Sequence, residues 1–225
     1  ESLSYDFLIS IGVPKNKIKI LPDLALTIDN DNVKTINNEA LTIGLSVIDR
    51  RAQYKKFTGQ DDYEEEIVRF IKEMCKKANT NVVLIVQCDG PTKDQNDLIV
   101  SERIFARLGF KDERVKLAYG IQNTDEFSKT LSKLDLIIST RMHTAILGLV
   151  NRVPTILIGY QPKAAGLFHL LDLDEYYVSI NNVTSEFLLE QSNNILNNYA
   201  SYILKVEKCL SRISREIKKE IINLK

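Results

Sequence analysis

The segment Asp135–Gly159 reads DLIISTRMHTAILGLVNRVPTILIG, and its pattern decides the fold. Asp135–Ser139 is a short apolar run, which predicts a strand buried on both faces. Arg141–Val150 places Ala145, Ile146 and Leu149 on one helical face, and Thr155–Gly159 is again a short apolar run. Strand, helix, strand, with both strands apolar throughout, is the pattern of two parallel strands joined by a crossover helix.

Outward from this unit the alternation continues. Upstream, Leu41–Ile48, Val82–Cys88 and Val115–Tyr119 read as strands, with helices expected at Asp61–Ala78, Asp94–Leu108 and Thr124–Lys133. Acidic Asp61–Glu66 suits a helix N-terminus, and Gly109 suits a helix stop. Downstream, Lys163–Leu171 reads as a helix, Tyr176–Ile180 as a last strand, and Thr184 onward as one or two long amphipathic helices. Right-handed crossovers then give an α/β, Rossmann-like, doubly wound parallel sheet flanked by helices, with long C-terminal helices. The start is less regular. A helix is expected at Ser4–Ile11, stopped by Gly12; Lys17–Leu21 is β-like, and Asp29–Asn38 reads as a surface loop or linker.

The 225 residues carry 30 basic and 30 acidic side chains, so the chain lacks the positive field of a dedicated nucleic-acid binder. No apolar run approaches a membrane span. Cys75, Cys88 and Cys209 are scattered, which argues against a disulfide framework and suits a reducing, cytoplasmic compartment. With His143 and His169 the only histidines, a His-rich metal site is excluded; no motif asks for magnesium, whose use is left open. Dinucleotide, P-loop, GxSxG and HExxH motifs are absent.

Ligands of such sheets bind beyond the carboxyl ends of the strands. The turn after Asp135–Ser139 is therefore the leading site. Its helix N-terminus suits an anion, Arg141 can grip carboxylate or phosphate, and His143 can move a proton. Ser139 or Thr140 is placed to cap the helix. The plainer alternatives are that Thr140 is only a cap, Arg141 a surface residue and His143 a core histidine. Tyr160 and Lys163, after Thr155–Gly159, lie where they could face the same crevice, as do Arg50 and Arg51 after the first strand. The Asp94–Asp97 cluster reads as the N-terminal charge of its helix, and Cys88 as a buried structural cysteine. The Lys/Arg-rich C-terminal segment is a solvated face, with docking to an acidic membrane surface as the alternative.

Three stretches together resemble the polysaccharide pyruvyl transferase family: Ser139-Thr140-Arg141-Met142-His143-Thr144-Ala145-Ile146, Val153-Pro154-Thr155-Ile156, and Tyr160-Gln161-Pro162-Lys163-Ala164-Ala165-Gly166. They are similar to an S-x-R-x-H…G-x-P…Y-x-x-K signature, with supporting matches at Leu21–Ala25 and Gln87–Asp97. The resemblance implies the two-Rossmann architecture of B-type glycosyltransferases. On that basis residues 1–38 are expected to be the end of an N-terminal domain and a linker. Residues 39–183 would form the Rossmann-like C-terminal domain and 184–225 a helical extension packing toward a missing N-terminal half, without which the chain is expected to be inactive.

The resemblance further implies transfer of pyruvate from phosphoenolpyruvate, with no cofactor required, onto a lipid-linked or polymeric saccharide as a ketal. His143 would be the general acid/base. Arg141, Met142, Thr140, Tyr160, Lys163 and Arg50 would bind substrate, and the location would be cytoplasmic or peripheral at the inner membrane face. The family often has an arginine where Ile48 stands, a role Arg50 could take. The alternatives are a glycosyltransferase using a nucleotide-sugar and a non-catalytic sugar-binding domain.

Overall fold

A computed structural model describes residues 2–28, 40–53, 57–90, 95–109, 113–121 and 123–223. The expected loop at Asp29–Asn38 and the start of the expected helix at Asp94 lie outside these residues.

The strands β1 (Leu41–Ser46), β2 (Thr80–Ile85), β3 (Val115–Ala118), β4 (Leu136–Ser139), β5 (Thr155–Gly159) and β6 (Tyr177–Ser179) form one parallel sheet in the order β3-β2-β1-β4-β5-β6. This is the doubly wound order, and it reverses between β1 and β4, where Ser46 pairs with Ser139. The switch point therefore lies at the turn that the sequence singles out.

The helices follow the expected alternation. They are α1 (Ser2–Ser10), α2 (Arg50–Gln53), α3 (Gln60–Lys76), α4 (Asp97–Leu108), α5 (Thr124–Leu131), α6 (Met142–Val150), α7 (Pro162–Leu170), α8 (Ser185–Asn197) and α9 (Tyr199–Asn223). Helix α3 buries Ile67, Phe70, Ile71 and Met74 at helical spacing and carries Asp61 and Asp62 in its first turn, as its sequence predicts. Asn198 separates α8 from α9. From α9, the buried Tyr202 hydroxyl donates to the Thr155 carbonyl at 2.8 Å and accepts from the Thr155 amide at 3.0 Å, pinning the start of β5.

One expectation fails. Lys17–Leu21 is not a strand: Lys15–Lys17 form a 3-10 turn, and the chain beyond runs extended with no strand beside it among the described residues. Ile20 is 52% exposed, so the run has neither the partner nor the burial that would make β-branched residues a strand. A second 3-10 turn, Leu24–Thr27, buries Leu26 and packs on α6 and α9.

Gly148 lets α6 lie close on the sheet. A Cβ there would stand 2.7 Å from Ile137 Cδ1 and 2.8 Å from Thr155 Oγ1, whereas one at Gly166 in α7 would meet nothing within 4 Å. Gly148→Ala is expected to lower stability by about 1–3 kcal/mol through overpacking. Gly166→Ala should raise it by about 0.4–1 kcal/mol by restricting the unfolded chain. Denaturant titration of both variants checks the pair. No helix among the described residues is long and apolar enough to cross a membrane.

Candidate active site at the switch point

The turn after β4 is braced from within. Ser139 Oγ donates to the Arg141 carbonyl at 2.7 Å and accepts from the Arg141 amide at 3.1 Å. Thr140 does not cap the helix: its hydroxyl lies 2.7 Å from the buried Tyr63 hydroxyl, and its amide donates to the Ser46 carbonyl. Arg141 is itself the N-cap and supplies no side-chain cap bond. The acceptor comes from the turn after β2 instead, where the Gln87 side-chain carbonyl takes both the Thr144 amide, at 3.0 Å, and the Thr144 hydroxyl. The Met142 and His143 amides meet no acceptor among the described residues. They are the open donors of this helix end.

Arg141 is not a surface residue. Its side chain is 15% exposed, and it donates from Nη2 to Asp97 Oδ1 at 2.6 Å and from Nε to Asp97 Oδ2 at 3.0 Å. Asp97 is buried at the start of α4, and the Cys88 amide also donates to its Oδ2 at 3.1 Å. Burial pushes the Asp97 carboxyl above its ordinary value, partly offset by Arg141 and by the Cys88 and Gln87 amides. Burial also works against the Arg141 charge, but the Asp97 bonds outweigh it and hold the guanidinium firmly protonated. A guanidinium has five N–H donors. Asp97 takes the Nε–Nη2 edge, and Nη1 has no partner among the described residues.

His143 is not a core histidine; its side chain is 56% exposed, and Nε2 lies 3.4 Å from Asp23 Oδ2. Thr140, Arg141, Met142, His143, Tyr160 and Lys163 line one cavity of about 160 Å³, with Gln87. A larger cavity of about 420 Å³, lined by Ile28, Ile121, Phe127 and Leu147, shares His143 and Gln87 with it. Arg50 is elsewhere: it lines a third cavity, its guanidinium 4.6 Å from the Phe57 ring centroid and donating to Asn181 Oδ1 at 3.2 Å. Arg51 is held by Asp49 at 3.0 Å. Cys88 is half-buried, not buried, and donates to the Gly90 carbonyl at 3.5 Å. No cluster of three or more His, Cys, Asp or Glu suited to a metal ion occurs among the described residues.

Asp97, Gln87 and Asp23 are site residues that local reading misses. Asp97 reads as a helix-start charge, and Asp23 falls just after the β-like run Lys17–Leu21. Only their place within the stretches quoted for the family resemblance signals them.

Residues 1–162 match the family described as polysaccharide pyruvyl transferase. The chain belongs to that family. Over 164 residues it is 24% identical to the amylovoran biosynthesis protein AmsJ of Erwinia amylovora, covering 72% of this chain and 37% of AmsJ. The fold is similar to a putative UDP-N-acetylglucosamine 2-epimerase from Listeria monocytogenes (TM-score 0.58, 14% identity, 97% of this chain and 57% of that one). It is also similar to S. aureus MnaA in a co-structure with UDP (TM-score 0.57, 12% identity, 98% of this chain and 58% of that one). At these identities the likeness establishes the fold alone.

Removing one member of the buried pair leaves the other charge without its partner. Asp97→Ala is expected to cost about 3–5 kcal/mol, and the Asp97→Ala/Arg141→Met double variant less than the sum of the two single changes. A double-mutant cycle in urea measures the coupling.

Proposed function

We propose that the protein transfers pyruvate from phosphoenolpyruvate onto two hydroxyls of a saccharide, forming a cyclic ketal, with the donor bound at the β4–α6 turn. One observation carries this reading: two helix amides and an arginine edge that meet no partner among the described residues, a lysine and a half-exposed histidine border a single cavity at the switch point. A small molecule bearing a carboxylate and a phosphate needs that combination.

In this scheme the Met142 and His143 amides and Arg141 Nη1 hold the donor carboxylate, and Lys163 neutralises the phosphate. Arg50 is left out because it lines a different cavity. A proton is added to the methylene carbon of the enol, a sugar hydroxyl attacks the adjoining carbon, and phosphate departs with the C–O bond electrons. The second hydroxyl closes the ketal, each hydroxyl giving up its proton. His143 serves these transfers as general acid and base. The acceptor approaches through the larger cavity, since only His143 and Gln87 are common to both.

The family membership and the likeness to an amylovoran biosynthesis protein support a role in making a polysaccharide. The acceptor is then a lipid-linked or polymeric saccharide, reached on the cytoplasmic side where the phosphorylated donor is available. Residues 39–183 act as the donor-binding half of a two-domain transferase.

Calorimetry on the complete protein tests the donor site. Arg141→Ala is expected to weaken phosphoenolpyruvate binding at least tenfold, about 1.4 kcal/mol; unchanged affinity, or binding of a nucleotide-sugar with no response to phosphoenolpyruvate, defeats the assignment. His143→Ala should leave the melting temperature unchanged and lower turnover, followed as phosphate release, by about 10²–10⁴-fold.

A further inference from the structure

His143 is met by a residue from far outside its own turn. Asp23 Oδ2 lies 3.4 Å from His143 Nε2, and the two are separated by most of the sheet in sequence. The carboxylate is itself fixed. Its Oδ1 accepts from the Ala25 amide at 3.0 Å and so caps the 3-10 turn Leu24–Thr27. That turn is anchored by the buried Leu26 against α6, the helix that carries His143. One carboxylate oxygen is thus committed to the backbone, and the other is presented to the ring.

A carboxylate can only accept, so at this 3.4 Å ion-pair distance its charge favours the imidazole tautomer that carries hydrogen on the facing nitrogen. We infer that Asp23 is the positioning residue for His143. It holds the ring at the wall shared by the two cavities as the Nε2–H tautomer and leaves Nδ1 as the nitrogen that exchanges protons with substrate. His143 Nδ1 has no partner among the described residues. The other charged and titratable groups around this cavity, Arg141, Lys163 and Tyr160, are none of them anions at neutral pH able to take over this part. The inference rests on the reading of His143 as the proton carrier.

The informative substitution is Asp23→Asn. Asparagine caps helical turns as well as aspartate does. If its oxygen keeps the Ala25 amide, its NH₂ turns to His143 Nε2, where it can only donate. The ring must then accept at Nε2 and carry its hydrogen on Nδ1, which removes the lone pair needed for chemistry. Nitrogen-15 NMR of the His143 ring, recorded where the ring is neutral, should show the Nε2–H form in the wild-type protein and a switch toward Nδ1–H in Asp23→Asn. Turnover in the complete protein should fall by about 10²-fold or more with KM for phosphoenolpyruvate little changed. Asp23→Glu, which restores a carboxylate, should recover part of the rate. An unchanged tautomer overturns the inference, as does a switched tautomer with full turnover. If wild-type protein shows no use of phosphoenolpyruvate at all, the proposed reaction fails and the tautomer switch stands or falls on its own spectrum.

Discussion

The Asp97–Arg141 pair is the contact on which the rest of the site depends. Taking a carboxylate and a guanidinium out of water costs several kcal/mol per ion, and a bidentate geometry alone rarely offsets it. Here the Cys88 amide also donates to the same carboxylate, so its oxygens are satisfied from two sides. The consequence is mechanical. Asp97 opens α4, Gln87 and Cys88 follow β2, and Arg141 follows β4, so one pair ties two loops together across the intervening strand β1. Without it, the ends of β2 and β4 would be joined by the Gln87–Thr144 hydrogen bonds and by side-chain packing below.

The pair also changes what Arg141 contributes electrostatically. With Asp97 beside it, the unit is close to neutral, and its attraction for an anion at a distance is small. What remains is directional: Nη1, held in place by bonds on the opposite edge, next to the open amides of α6. Net positive charge in the cavity then comes from the exposed Lys163 and from the helix end. Gln87 contributes by subtraction. It occupies the Thr144 amide, so the donors left open are the two nearest Arg141.

Much of this was legible in the chain. The β4–α6–β5 unit announces itself because buried parallel strands must be apolar on both faces and crossover helices on one, and those periods survive in the sequence. The turn after β4 could be singled out because doubly wound sheets bind at their strand ends. What could not be read locally are choices settled by distant partners. Asp97 looks like an ordinary helix-start acid until the fold sets it against Arg141, 44 positions away. Thr140 has the chemistry of a cap, but Tyr63 reaches its hydroxyl first. Lys17–Leu21 has strand composition, yet composition does not supply a neighbour. Arg50 sits at the expected strand end, but Phe57 and Asn181 hold it in another cavity.

The spacing of Arg141 and His143 has a physical sense of its own. Arg141 is the extended N-cap and His143 lies in the first helical turn, so the two side chains leave the turn into different surroundings while both border the cavity. The fold uses the difference: Arg141 turns inward to a dry carboxylate, while His143 stands more than half in water. An anion clamp gains from burial, because its donors must not reorganise when charge arrives. A proton carrier gains from the opposite, because it must be restored to its starting protonation state after each turnover, and bulk water does that directly.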